Sequence, residues 1–437
     1  MPRIIDCHVH RLDDTDVAWA RELGYEKVCL MDPRADVLVA ALKKHPDFVI
    51  ALGWLPMHDE TPVALDALER FREIGCLGLK VCGSRARYDD ESFYPVYEKA
   101  ESYGLPVFFH TGWLDQRIMQ QTYPTGIRML ADWYHPITLD RITLDFPTLK
   151  LVAFHMGGAW ITHAALLMRQ HPNIYADSCR GGEPHDFLWG QMGGDAGGMR
   201  TLCKMVYGTD GMGNRHAMAA RIRYWEGFLD AVNAPKGVRE LLFRRNALRI
   251  LGLDDELKKT TRLGSGPATV TDFVSHRIER FGEPAESATG CTITRQAAGL
   301  RFDFTCADRR ADALVLSAEG PIAHLWEDDS VEVFLSPAND AHYVHVVANA
   351  LGRASVQNDR GDIRELPAAA EGSIRADGWT VSVSVPFETI GRAPAAGDVW
   401  GLQLCRNKQT DPAESITWME AATTYRDTSA FGRLVFE

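Results

Sequence analysis

The sequence predicts a (β/α)8 barrel followed by an all-β sandwich. Three observations carry this. Eight short apolar runs alternate with amphipathic stretches from the start to about residue 255, the pattern of parallel strands joined by helical crossovers. From residue 268 onward the runs shorten and are spaced by Gly, Pro, Asp and Asn turns, as in a sandwich. Between the two textures lies a break rich in turn residues, Gly264, Ser265, Gly266 and Pro267. The predicted domains are therefore a barrel over 1–259, a linker over 260–267 and a sandwich over 268–437.

The eight runs are Ile4–Val9, Lys27–Met31, Phe48–Leu55, Cys76–Cys82, Leu105–His110, Leu149–His155, Asn173–Cys179 and Cys203–Tyr207. Helical stretches such as Thr15–Leu23, Ala35–Lys44, Pro62–Ile74 and Glu91–Tyr103 separate them, and one last helix is expected from Arg215 to about Leu251. Eight such units match the size of a closed barrel. An open doubly wound sheet usually carries a Gly-rich phosphate turn after an early strand, and none follows the first run. In the C-terminal part the expected strands include Gly299–Thr305, Asp312–Ser317, Ser330–Leu335, His342–Ala350, Gly352–Val356, Trp379–Pro386, Val399–Cys405 and Ser415–Met419. Ser330–Leu335 alternates polar and apolar residues, a signature of a sandwich strand.

Charge and composition narrow the function classes. With 47 basic and 59 acidic residues the net charge is −12, and no basic run is present. Nucleic acid and anionic membrane are therefore not the expected partners. No charged-then-apolar leader precedes the first strand, and no apolar run reaches transmembrane length. The nine cysteines show no CxxC pairing and read as buried small hydrophobes in a reducing, cytoplasmic setting. A small-molecule substrate is the expected partner, and a homo-oligomer the expected state.

In a barrel of this kind, functional residues sit at the C-terminal ends of the strands. His8 and His10 end the first run, two apart and therefore on one face. Lys80 ends the fourth, His110 the fifth, His155 the sixth, and Asp210 follows the eighth. Four histidines and an aspartate converging on one rim predict a metal site. Asp6 shares the face of His8 and His10 and is placed to orient the site from behind. The long connection after His110 carries Trp113, Arg117 and Arg128, Arg180 follows the seventh run, and His216 follows Asp210. These five are the candidate substrate contacts.

The motifs Ile5-Asp6-Cys7-His8-Val9-His10, Gly78-Leu79-Lys80-Val81, Leu105-Pro106-Val107-Phe108-Phe109-His110-Thr111-Gly112, Phe146 to Gly158 and Tyr207-Gly208-Thr209-Asp210 together resemble the amidohydrolase superfamily. The likeness is to its amidohydrolase-related branch, which also holds metal-dependent decarboxylases, and it covers residues 1 to about 255. It implies one divalent metal bound by His8, His10, His110 and Asp210, with Zn2+ the expected ion and Mn2+ the alternative. It further implies Asp210 as proton acceptor, His155 as acid/base or electrophilic group, and Lys80 as a contact for substrate charge. In two-metal relatives a carbamylated lysine at this position bridges a second ion. The expected reaction is hydrolysis of an ester, lactone or amide, on a carbohydrate-related or carboxylated substrate, by metal-activated water. Non-oxidative decarboxylation is the alternative.

The C-terminal part resembles carbohydrate-binding module family 9 through Leu325 to Leu335, His345 to Asn349, Gly352, Trp379, Arg406-Asn407, Trp418 and Phe431 to Leu434. The resemblance implies a glycan-binding face on which Trp326 and Trp379 contact sugar and Glu327, Asp328 and Asp329 hold sugar or Ca2+. The competing expectation is that both tryptophans are core and the acids form a turn. A glycan-binding protein with a vestigial barrel is a further alternative, opposed by the intact histidines and Asp210.

Overall fold

The computed structural model describes residues 3–113, 130–179, 187–188, 190, 197–317, 319, 321–339, 342–358, 361–365, 370–422 and 424–437. The chain divides into two compact units, one of residues 1–234 and 238–255, the other of 235–237 and 256–437.

The first unit is built on eight parallel strands in sequential order. They are β1 (Ile4–Val9), β2 (Tyr25–Asp32), β3 (Val49–Leu55), β4 (Gly78–Val81), β5 (Val107–His110), β6 (Leu151–Phe154), β7 (Ile174–Asp177) and β8 (Met205–Val206). Strands β4 to β8 and β1 are buried throughout, which explains their continuous apolar runs. The sheet closes where Cys7 N–H donates to the Tyr207 carbonyl at 2.9 Å, joining β1 to the chain just past β8. Asp6 pins the same seam. Its carboxylate accepts from Thr209 N at 3.1 Å, Thr209 Oγ1 at 2.7 Å and His8 N at 3.0 Å.

Helices such as Ala35–Lys44 and Thr61–Glu73 lie between the strands. The single last helix expected from Arg215 is instead broken. A helix spans Arg215–Ala231, and shorter helical pieces cover Lys236–Glu240, Leu241–Arg245 and Asn246–Ile250. Pro235 disfavours a helical conformation in the residue before it, and Asn233 adopts a positive φ of 51°.

The second unit contains two sheets. One has five strands in the order Ala268–Val270, Thr289–Arg295, Gly299–Ala307, Gly378–Pro386 and Ala370–Arg375. The other has nine, with Ser330–Ser336 between Val399–Lys408 and Val344–Asn349. Residues from both sheets, including Phe302, Val333, Trp379, Trp400 and Leu404, share one buried core.

Two expectations need correcting here. Thr260–Leu263 is not linker but a strand paired in parallel with Gly432–Phe436, its Thr261 and Leu263 side chains buried alternately. The turn-rich break is only the bend that follows it. Asp312–Ser317 forms no strand; a short 3-10 turn covers Ala311–Ala313. Ser330–Ser336 is buried on both faces, because Glu332 is covered by His345 and Asn407. No helix among the described residues is long and apolar enough to cross a membrane.

Candidate metal centre

Strand β1 delivers His8 and His10 to the C-terminal rim, and the turn after β8 delivers Asp210. His8 Nε2 lies 3.1 Å from His10 Nε2 and 3.2 Å from Asp210 Oδ1, and His10 Nε2 lies 3.3 Å from the same oxygen. One ligand atom from each of these residues falls within 4.8 Å of the other two. Two imidazoles and one carboxylate suit a borderline divalent ion. The fit is supported by His8, which is fully buried with its Nδ1 donating to Asp177 Oδ2 at 2.7 Å. That bond leaves Nε2 as the lone pair directed at His10 and Asp210.

His8 is fixed on three sides. Its ring stacks on Phe154, centroids 3.8 Å apart and 13° from parallel. Asp177 holds its far nitrogen, and Asp6 takes its backbone N–H. Asp177 was not among the expected site residues, although it ends β7 on the same rim. It also accepts the His155 backbone N–H through Oδ1 at 2.6 Å, so one buried carboxylate ties the first histidine to the sixth strand.

His110 is placed differently from His8 and His10. Its Nδ1 faces His155 Nε2 at 3.1 Å, and it reaches the cluster through that ring. His155 in turn has its Nδ1 2.9 Å from Cys179 Sγ. Both His155 and the following Met156 hold positive φ, 63° and 47°, and Asp210 does so at 55°. Non-glycine residues in this region carry strain of order 1–3 kcal/mol. Gly157 and Gly158, at φ 77° and 55°, continue the turn, and Gly112 packs against them so closely that a Cβ there would lie 3.1 Å from the Gly157 backbone.

The electrostatics divide the groups. Burial opposes ionisation of Asp210, but the hydrogen bond to His10 and the neighbouring imidazoles of His8 and His155 hold its carboxyl well below the ordinary range. Burial, with His8 nearby, pushes His155 down to about 3, so it is neutral. Burial raises Asp6 to about 7 against the pull of its Thr209 and His8 bonds. Lys80 is buried at the end of β4, and burial lowers its pKa. Its ammonium makes no hydrogen bond to the described residues and sits 4.0 Å from the centroid of the Phe154 ring.

Trp113 is 67% exposed, and His216 is exposed in the first turn of the helix Arg215–Ala231. Arg117, Arg128 and Arg180 lie outside the described residues.

In the second unit the acids and one tryptophan depart from expectation. Trp379 is 1% exposed and belongs to the core. Asp328 and Asp329 are buried and spent on the fold. Asp328 accepts from Ser317 N and Asn349 Nδ2, and Asp329 from Val315 N and Gln409 N. Carboxylates engaged in this way anchor loops rather than offer a Ca2+ site, and no metal-ligand cluster falls in this unit among the described residues. Glu327 pairs with exposed His324. Trp326 is 49% exposed and edges a cavity of about 280 Å3 lined also by Glu332, Phe334, His345, Asn407 and Tyr425.

A barrel whose strand ends gather histidines, an aspartate and a buried lysine has the frame of a metal-dependent barrel enzyme. The family model described as amidohydrolase matches residues 32–253, and the chain belongs to that family, whose members use a divalent metal. A second model, carbohydrate family 9 binding domain-like, matches residues 307–437. Among solved structures, a TIM-barrel protein of Bordetella bronchiseptica is 18% identical, with 57% of this chain and 98% of that one covered and a TM-score of 0.43. A 2,6-dihydroxybenzoate decarboxylase from Rhizobium is 18% identical over 58% of this chain and 100% of its own, TM-score 0.43. A family 9 carbohydrate-binding module from Caldicellulosiruptor kristjanssonii, in complex with cellotriose, is 15% identical over 41% and 94%, TM-score 0.31. Comparison with curated proteins gives no match.

Proposed function

We propose that the barrel is a one-metal enzyme that removes CO2 from a small carboxylated substrate. The observation that carries the reading is Lys80, a buried ammonium without a hydrogen bond to any described residue. A cation in such a place is costly unless negative charge meets it during the reaction. His8, His10 and Asp210 would hold the ion, with His110 as the fourth candidate. When bound, the ion supplies Lewis acidity toward the substrate's oxygens.

The protein's own groups then divide the work. The bond between the carboxyl and its carbon breaks, and the electron pair stays on the substrate carbon skeleton. Lys80, buried at the end of β4, stabilises that negative charge. His155, neutral at rest, relays the proton that replaces the carboxyl, taking one up from solvent at one ring nitrogen as it releases the other to carbon. Asp177 keeps His8 and the His155 backbone in register throughout.

Hydrolysis of an ester, lactone or amide is the second reading, favoured by Asp210, which stays ionised beside two imidazoles and is suited to accept a proton from water. The sandwich adds a proposed glycan contact on Trp326, whose exposed ring borders the polar cavity. Incubation of metal-loaded protein with small carboxylates carrying a 13C-carboxyl label tests the main reading by release of labelled CO2. Turnover of esters or lactones with no labelled CO2 from any acid would replace it with the second.

A further inference from the structure

Beside the proposed centre stands a second ligand set. One ligand atom each of His8, His155 and Cys179 lies within 4.8 Å of the other two. All three residues are at least nine-tenths buried. The His8 and His155 ring centroids are 5.2 Å apart, and Cys179 Sγ is 2.9 Å from His155 Nδ1. The set differs in kind from the first, because it offers sulfur where the first offers a carboxylate. Thiolate selects Zn2+, Co2+ or Cd2+, whereas a carboxylate-bearing set also serves Mn2+.

We infer that His8, His155 and Cys179 form a second position for a thiophilic divalent cation, one that competes with the working centre for His8. The inference rests on the metal-centre reading above. The geometry is prepared for it. The His155 backbone is held by the Asp177 bond, and its Nδ1 already faces Cys179 Sγ at 2.9 Å, so the ring needs no flip. Its Nε2 faces His110 Nδ1 at 3.1 Å, the kind of outer hydrogen bond that steadies a ligating imidazole. The cation takes the place of the proton between Sγ and Nδ1, and that proton leaves to solvent. Occupation withdraws both His8 and the proton donor His155 from the reaction. Thiophilic ions in excess therefore inhibit, and Mn2+ does not.

Co2+ titration of the metal-stripped full chain, followed by absorption, tests this. The wild type is expected to show visible ligand-field bands and, at higher Co2+, a near-ultraviolet sulfur-to-Co2+ charge-transfer band. Cys179→Ala and Cys179→Ser should lose the near-ultraviolet band and keep the visible ones. His10→Ala should keep the near-ultraviolet band, since His10 is outside this set. Visible bands without a near-ultraviolet band in the wild type, or a near-ultraviolet band that survives Cys179→Ala in folded protein, overturns the second position alone. Absence of both bands at every Co2+ concentration overturns the metal-centre reading with it.

Discussion

Replacing Asp177 with asparagine isolates what holds the centre together. The carboxylate accepts two buried donors, His8 Nδ1 at 2.7 Å through one oxygen and the His155 N–H at 2.6 Å through the other. An amide has one oxygen and one NH2, so a donor must face a donor at one end. With the oxygen toward His8, the His155 N–H loses its acceptor, at about 1–3 kcal/mol of stability. With the oxygen toward His155, the NH2 forces His8 to carry its proton on Nε2, the nitrogen directed at His10 and Asp210. The ligand is then blocked until that proton is lost. Losing an outer partner of this type lowers metal affinity about 10- to 100-fold, or roughly 1.4–2.7 kcal/mol. Urea denaturation of metal-free Asp177→Asn should report the first cost, and chelator competition of the loaded protein the second. Each orientation carries one of the two costs, so a variant that keeps both wild-type stability and wild-type metal affinity would refute the role assigned to Asp177.

Four further outcomes follow from the structure. His155 is neutral in the folded state down to about pH 3, while its unfolded value is 6.5. Across that window the unfolded chain takes up a proton the folded one does not. Stability of the metal-free protein should fall as pH drops, by up to about 1.4 kcal/mol per unit, and His155→Asn should flatten that slope in pH-resolved denaturation. Lys80→Met replaces an ammonium that has no hydrogen bond to the described residues with an apolar chain of similar length. It should raise the Tm while lowering kcat by about 100-fold or more; an unchanged rate would remove Lys80 from the chemistry. Trp379→Ala should cost about 3–5 kcal/mol in unfolding experiments because its ring is core. Trp326→Ala should leave the Tm near the wild-type value and abolish retention on a glycan column.

Six of the eight strands were legible as short, wholly buried apolar runs, burial on both faces being a strong sequence signal, and β2 and β3 are buried but for a few positions. His8 and His10 were legible because their partners in the pattern are two residues apart. Asp177 was not, since its bond to His8 spans 169 residues and nothing local distinguishes it from an acid at a strand end. Its position on the same rim as the histidines was the one available clue. The strand Thr260–Leu263 was hidden for a related reason: its pairing partner is the far end of the chain, while the turn residues beside it are adjacent and conspicuous. Asp328 and Asp329 misled in the opposite direction. A run of acids looks solvated, yet here each one is consumed by loop N–H groups that sequence cannot place.

The centre is built unevenly, and the unevenness constrains the substrate. His10 and Asp210 are about one-third exposed, at 31% and 35% of their side chains, and the His10 ring lies 5.7 Å from that of Trp54. His8, His155 and Lys80 are buried. On the proposed function, a substrate would arrive past His10 and Asp210 and present its leading atoms to Lys80. Asp210 is held ionised, so an anionic group entering beside it is repelled unless a cation answers it at short range. Among the described residues, Lys80 and the ion that the histidines would hold are the cations placed to do so. This argues for a compact substrate with its negative charge at the reacting end, and against a long polymer threaded through the barrel mouth.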